Sequence, residues 1–264
     1  MPANGQTDVL RIAPLVVLYG QPGSGKTTQA AMAFPDCFFV LSSPTALRPL
    51  ASRIAADPEC GLRMPKFMVI PEFTPGTVND PHDNYGAIST LVSNFVKAVY
   101  AKRCPYRGLV FDEWSAFNSR IDRDVRRNPK FITSKGTVDG WAVTRELRSF
   151  HRWLCAIPRG TGLPVVLICH PRPPIFDDDE KSPTRGQLKY RGGPALTPGT
   201  LIEQVCADAD VVLHLAITAG LDGAVRNYRT EVDPIWERKF RDFRVKPEEP
   251  IGLRELLERA DYAV

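Results

Sequence analysis

Short unbroken apolar runs alternate along this chain with longer stretches in which apolar residues recur every third or fourth position. The runs at 15–19, 37–41, 67–70, 108–113, 164–170 and 210–218 read as strands, most of them apolar throughout and therefore covered on both faces. Helical spacing follows at about 26–34, stopped by Pro35, and at about 45–56, ending before Pro58. The 86–102 segment places Ile88, Leu91, Val92, Phe95, Val96 and Val99 on one stripe, and 140–157 does the same with Trp141, Val143, Leu147, Phe150, Trp153 and Leu154. Further helices are expected at 200–207 and about 251–260. A turn at Leu221-Asp222-Gly223 joins 210–218 to 225–232 as an antiparallel hairpin. Polar or proline-rich stretches at 74–84, 115–139 and 171–199 carry no such period and read as loops, and residues 1–10 as a flexible N-terminus.

Strands alternating with helices predict an α/β fold, a mostly parallel sheet flanked by helices with an antiparallel hairpin added at one edge. Neither a repeat nor a composition break interrupts 11–264, so a single domain is expected there.

Chemistry enters at residues 20–27, which read Gly-Gln-Pro-Gly-Ser-Gly-Lys-Thr, a complete G-x-x-x-x-G-K-[ST] loop between the first strand and the first helix. Its glycines let the backbone wrap an anion, and the amides of Gly20, Gln21, Pro22-Gly23-Ser24, Gly25, Lys26, Thr27 and Thr28 (proline excepted) lie where a triphosphate would be cradled. Lys26 adds a mobile positive charge and the Thr27 hydroxyl is a ligand for Mg²⁺. The motif implies binding of a nucleoside triphosphate. Asp112 and Glu113 close the apolar 109–111 run, where a parallel sheet places its ligands. This is the Walker B arrangement, with the aspartate on the metal and the glutamate polarising a water. His170 ends the next long apolar run, and a place beside the Walker B strand would bring its imidazole near the γ-phosphate.

Composition narrows little beyond this. The net charge of +4 permits a nucleic-acid partner without demanding one. Six cysteines are scattered without a C-x-x-C pair, so neither a disulfide frame nor a metal cluster is expected, and a reducing cytoplasm fits. No apolar run approaches a membrane span, and no membrane partner is expected.

A phosphate loop, a Walker B strand, a polar-ended strand with a long loop after it and an edge hairpin with basic residues together resemble the RecA-like P-loop NTPase core. More narrowly, they resemble phage-encoded RecA-fold ATPases of the AAA-type nucleotide-binding group, some of which act in single-strand annealing or recombination. The stretches 198–200 through 209–215, 229–232 and 237–241 are similar to that group as well. The resemblance implies ATP as substrate with Mg²⁺, a homo-oligomer, and a γ-phosphate sensor at His170. It also implies that Lys239 and Arg241, two residues apart on one face of a strand, reach the neighbouring subunit's ATP as a Lys-x-Arg finger. Single-stranded DNA would meet the loops 115–139 and 171–199, and phage replication or recombination proteins are further expected partners. The first loop holds six basic and three acidic residues, with Phe131 placed to stack on a base. The second has Arg172, Lys181, Arg185, Lys189 and Arg191 with Phe176 and Tyr190 among them, together with an acidic run at 177–180. One departure matters. Many RecA-like proteins carry a catalytic glutamate just after the second strand, where this chain reads Leu41-Ser42-Ser43-Pro44, so the base falls to Glu113, with Glu72 as the fallback.

Overall fold

Along the first strand, β1 (Leu15–Tyr19), every side chain is buried, and successive residues enter two different cores. Leu15, Val17 and Tyr19 pack on one face of the sheet, and Val16 and Leu18 on the other. The period of two follows from the pleat, and each large apolar side chain so buried contributes about 1.5–3 kcal/mol. The computed structural model describes residues 12–73, 83–180, 182–220, 223–230, 236–240, 248–249 and 252–264. The expected flexible tail at 1–10, most of the 74–84 loop, Lys181, Leu221, Asp222, 231–232 and Arg241 lie outside them.

The chain continues through α1 (Lys26–Ala33), β2 (Phe38–Leu41), α2 (Arg48–Ala56), β3 (Lys66–Val69) and α3 (Asn84–Tyr100). Next come β4 (Leu109–Asp112), α4 (Trp114–Arg127), a 3-10 turn (Pro129–Phe131), α5 (Gly140–Thr161) and β5 (Val165–Cys169). Short strands β6 (Pro171–Arg172), β7 (Ile175–Phe176), β8 (Leu188–Tyr190) and β9 (Gly193–Pro194) lead to α6 (Thr200–Asp208). The hairpin β10 (Val211–Gly220) and β11 (Gly223–Arg229), then β12 (Glu248–Glu249) and α7 (Leu253–Arg259), complete the order.

Eight strands form one sheet in the order β12-β11-β10-β1-β5-β4-β2-β3. From β3 to β10 all pairs are parallel, while β11 and β12 add antiparallel at the far edge. Helices α3, α4, α5 and α6 cover one face, and α1, α2 and α7 the other. This is the mostly parallel, helix-flanked α/β sheet that the strand pattern predicts, edge hairpin included. The 67–70 run is β3, but it forms the other edge, and Phe67 and Met68 are half exposed.

Three expectations change. The segment 115–139 is not a loop: α4 fills its first half, with Trp114, Phe117, Ile121 and Val125 buried at spacings of three and four. Its charges masked that stripe, since they occupy the outer face, where Arg126 pairs with Asp122 at 2.8 Å. Phe131 is buried in the turn that follows, only 6 % exposed, so it cannot stack on a base. In α5 the core stripe is Val143, Leu147, Phe150 and Leu154, whereas Trp141 is 84 % exposed and Trp153 37 %. The 171–199 segment is an ordered ribbon, β6 pairing with β9 and β7 with β8. Part of its acidic run turns inward: the Asp177 carboxylate accepts from the Ser182 and Thr184 hydroxyls at 2.5 and 2.6 Å.

Helix α4 holds both ends of that ribbon. Ser115 Oγ accepts the His170 amide at 3.0 Å, and Asn118 Oδ1 accepts the amide of Thr197. The Asn118 amide nitrogen in turn lies 3.4 Å from His151 Nε2, and His151 Nδ1 donates to the Leu147 carbonyl at 2.9 Å. His151 is fully buried, and burial pushes its imidazole down from the ordinary 6.5 to about 4. The unfolded chain therefore takes up this proton first. Stability held by the neutral ring is complete above about pH 6.5 and is lost as pH falls toward 4, by about 3 kcal/mol in all. The variant His151→Gln should lack this acid limb; urea melts of both proteins at matched pH values isolate the effect, and parallel curves would refute it.

Candidate nucleotide site

The phosphate loop joins β1 to α1, and two of its glycines are required, one by close packing and one by backbone conformation. A Cβ at Gly20 would stand 2.4 Å from the Leu215 carbonyl oxygen of β10, so only glycine fits against that neighbouring backbone. Gly25, the residue before α1, has φ +94°, a left-handed conformation that costs a side chain dearly. The first amides of α1 then face the loop with no carbonyl partner of their own helix, as at any helix start. Lys26 folds back over the loop: its Nζ donates to the carbonyls of Gly20 at 2.8 Å and Gln21 at 3.0 Å. Burial lowers the lysine pKa, and Asp112 and Glu113 oppose that shift.

From the same helix the Thr27 hydroxyl donates to Asp112 Oδ2 at 2.7 Å. The strand carrying Asp112 is not next to β1, because β5 lies between them. Asp112 is almost fully buried, and its carboxyl is pushed up to about 6, first by burial and then by Glu113. The Thr27 hydroxyl and Lys26 pull it back only in part. Two hard oxygen donors at hydrogen-bond distance, one of them a buried carboxylate, fit a Mg²⁺ ion.

Glu113 follows across a cis peptide bond and is half exposed. Its Oε1 lies 2.9 Å from His170 Nε2. The two meet because β4 and β5 are parallel neighbours in register, Asp112 opposite Ile168, so their terminal residues emerge side by side. Lys26, Thr27, Thr28, Asp112, Glu113 and His170 line one cleft together with Pro22, Gly23 and Gly25. Cys169 also faces it, but burial holds its thiol up at about 12, which keeps it protonated and unreactive.

A family model described as an AAA domain, AAA_24, matches residues 13–241. The chain belongs to this AAA domain family. No curated protein matches the sequence. Among solved structures, a KaiC-like protein from Pyrococcus horikoshii is 16 % identical with a TM-score of 0.38, over 82 % of this chain and 77 % of that one. The flagellar accessory protein FlaH from Methanocaldococcus jannaschii is 13 % identical with a TM-score of 0.38, over 83 % and 78 %. Among the described residues no helix is long and apolar enough to cross a membrane.

Other residues expected at the site of this AAA domain are elsewhere. Glu72 follows β3, four strands from β1 and so roughly 19 Å away at the usual strand spacing. It faces Arg123 at 3.4 Å and Arg120 at 3.7 Å, which removes it as the fallback base. Lys239 lies by the start of β10, bridged to Val212, and its Nζ donates to the carbonyls of Ala207 (2.7 Å) and Ala209 where α6 ends. Within its own chain Lys239 thus caps a helix terminus. Its expected companion Arg241 is outside the described residues.

One residue at the loop escaped sequence reasoning. Arg226 of β11 donates through Nε to the Ser24 carbonyl at 3.1 Å, tying the edge hairpin to the phosphate loop. The hairpin is legible in the sequence, but its register, Arg226 opposite Ile217, is set only by pairing.

The raised Asp112 value carries a sign. A carboxyl that holds its proton longer in the folded state costs stability once ionised, so the cost is present above about pH 6 and vanishes as pH falls toward the ordinary 3.8. Asp112→Asn should therefore melt higher than the wild type at neutral pH, by roughly 2–4 °C per kcal/mol relieved. It should also lose the further rise that Mg-ATP gives the wild type. Differential scanning fluorimetry with and without Mg-ATP reads both; a lower melting point in the variant would contradict the burial argument.

Proposed function

We propose that this AAA domain hydrolyses ATP with Mg²⁺, with Glu113 as the base. The observation that carries the reading is the 2.9 Å contact between Glu113 and His170 in the cleft that also holds Lys26, Thr27 and Asp112. An imidazole N–H directed at the carboxylate leaves the other Glu113 oxygen to accept a proton from water. The water oxygen then bonds to the γ-phosphorus as the bond to the β,γ-bridging oxygen breaks, and ADP leaves with that electron pair. Lys26 and the α1 amides hold the phosphates and offset their charge. Thr27 and Asp112 would hold Mg²⁺, which when bound neutralises charge on the phosphoryl oxygens. His170 senses the γ-phosphate: its position depends on Glu113, and its backbone opens the ribbon, where its carbonyl accepts from Ala195 at 2.8 Å.

The finer reading is an oligomeric ATPase that depends on single-stranded DNA, of the kind that serves phage recombination or replication. Its support is the ribbon, which carries exposed Arg185 and Lys189 together with the half-exposed rings of Phe176 and Tyr190. Arg172 lies over the Tyr190 ring at 5.8 Å. Across a subunit interface, Arg241 with Lys239 would serve the neighbour's ATP, Lys239 after leaving the α6 terminus.

Glu113→Gln should keep ATP affinity and lower kcat by about 10²–10⁴, since only the proton acceptor is lost; phosphate release together with equilibrium ATP binding measures both. Single-stranded DNA should raise wild-type turnover, and the double variant Arg185→Gln, Lys189→Gln should lower that stimulation while the DNA-free rate stays unchanged. A rate indifferent to every nucleic acid tested would point instead to a nucleotide-gated loader of proteins.

A further inference from the structure

Helix α5 buries one face and presents on the other a stripe that the core does not explain. Val143, Leu147, Phe150 and Leu154 are all in the core. Opposite them stand Trp141, Arg145, Arg148, Arg152 and Arg159, all exposed. At 3.6 residues per turn these five positions fall within a wedge of roughly 60°, spread over about 27 Å of helix. None of the four arginines has an acidic residue three or four positions away on the helix. Among the described residues none makes an ion pair; Arg159 alone has a partner, the Asp208 carbonyl at 3.4 Å. Arg145, Arg148 and Arg152 repel each other at spacings of three and four, and among the described residues no carboxylate pairs with them. At the head of the stripe is Trp141, its indole 84 % exposed. Because α5 runs down to the start of β5, that head lies at the end of the sheet where the strands deliver Asp112 and His170.

We propose that this face binds single-stranded nucleic acid, the four guanidinium groups tracking phosphates and Trp141 stacking on a base. Arginine forks match phosphate oxygens, and an indole held in water has a free face for any base. A lipid surface fits poorly, since the apolar side of the helix is committed to the core and cannot enter a bilayer. An acidic protein would satisfy the arginines and leave the indole without a role. The inference rests on the nucleic-acid part of the function proposed above, but it places the main contact on a helix rather than on the ribbon.

The test is the binding of labelled oligodeoxythymidine to the full chain without nucleotide, followed by anisotropy across a salt series. Arg145→Gln, Arg148→Gln, Arg152→Gln combined should lower the slope of log K against log salt by about 2, at roughly 0.7 per phosphate contact. Trp141→Ala should weaken binding about 5- to 150-fold and leave that slope alone, as loss of one stacked base would. Melting temperature should not fall in either variant and DNA-free ATP turnover should stay at the wild-type value, which guards against misfolding. Unchanged affinity and slope in the triple variant would overturn the proposal, even if DNA still stimulates turnover and the ATPase reading stands. Tighter binding of duplex with Trp141→Ala silent, or loss of binding to polyglutamate but not to DNA, would overturn it too. Loss of DNA binding in both variants while ATP turnover ignores DNA would support the surface and sink the DNA-dependent ATPase.

Discussion

The site depends on one hydrogen bond, between the Thr27 hydroxyl and the Asp112 carboxylate, which joins the phosphate loop's helix to a strand two places away in the sheet. With β5 inserted between β1 and β4, the acidic strand end is brought to the loop only because α1 starts where its second residue reaches across. The same insertion places His170 between the loop and the acidic strand, so Lys26, the Thr27–Asp112 pair and the Glu113–His170 pair share one cleft. The energetic cost lies with Asp112, whose charge is buried with one hydroxyl and an ammonium for company. A divalent cation held by Thr27 and Asp112, as proposed, would reverse that cost and tie the stability of the domain to its ligand.

Helix α4 carries the arrangement outward. It begins directly after Glu113 and through Ser115 and Asn118 holds both ends of the 171–199 ribbon. The cleft and the ribbon thus share one rigid element, joined by two hydrogen bonds from backbone amides to α4 side chains. Asn118 bonds to the buried His151 as well, so the contact is set from the core side. On the hairpin side Arg226 plays a matching part, fixing the loop at Ser24 to an edge strand.

The arginine stripe of α5 and the basic ribbon differ physically although both attract anions. On the ribbon Lys189 faces the Asp177 carboxylate electrostatically, whereas the arginines on α5 are fixed by a helix with no acidic residue three or four positions away. A rigid row of like charge is a standing cost in the free protein, one that the proposed polyanion would relieve.

Read from residues alone, the parallel strands were clear because a strand covered on both faces must be apolar throughout, and the phosphate loop because its glycines answer to local backbone geometry. Asp112, Glu113 and His170 were legible as strand ends for the same reason. What stayed hidden depended on partners distant in sequence. Charges outside α4 obscured its four core residues, the exposure of Trp141 was decided by which face of α5 met the sheet, and the removal of Glu72 followed from strand order. Local patterns fix which segments form and what they can bind; which side of a helix is wet, and which carboxylate reaches the phosphate loop, is settled when the layers pack, because only then does each side chain acquire its neighbours.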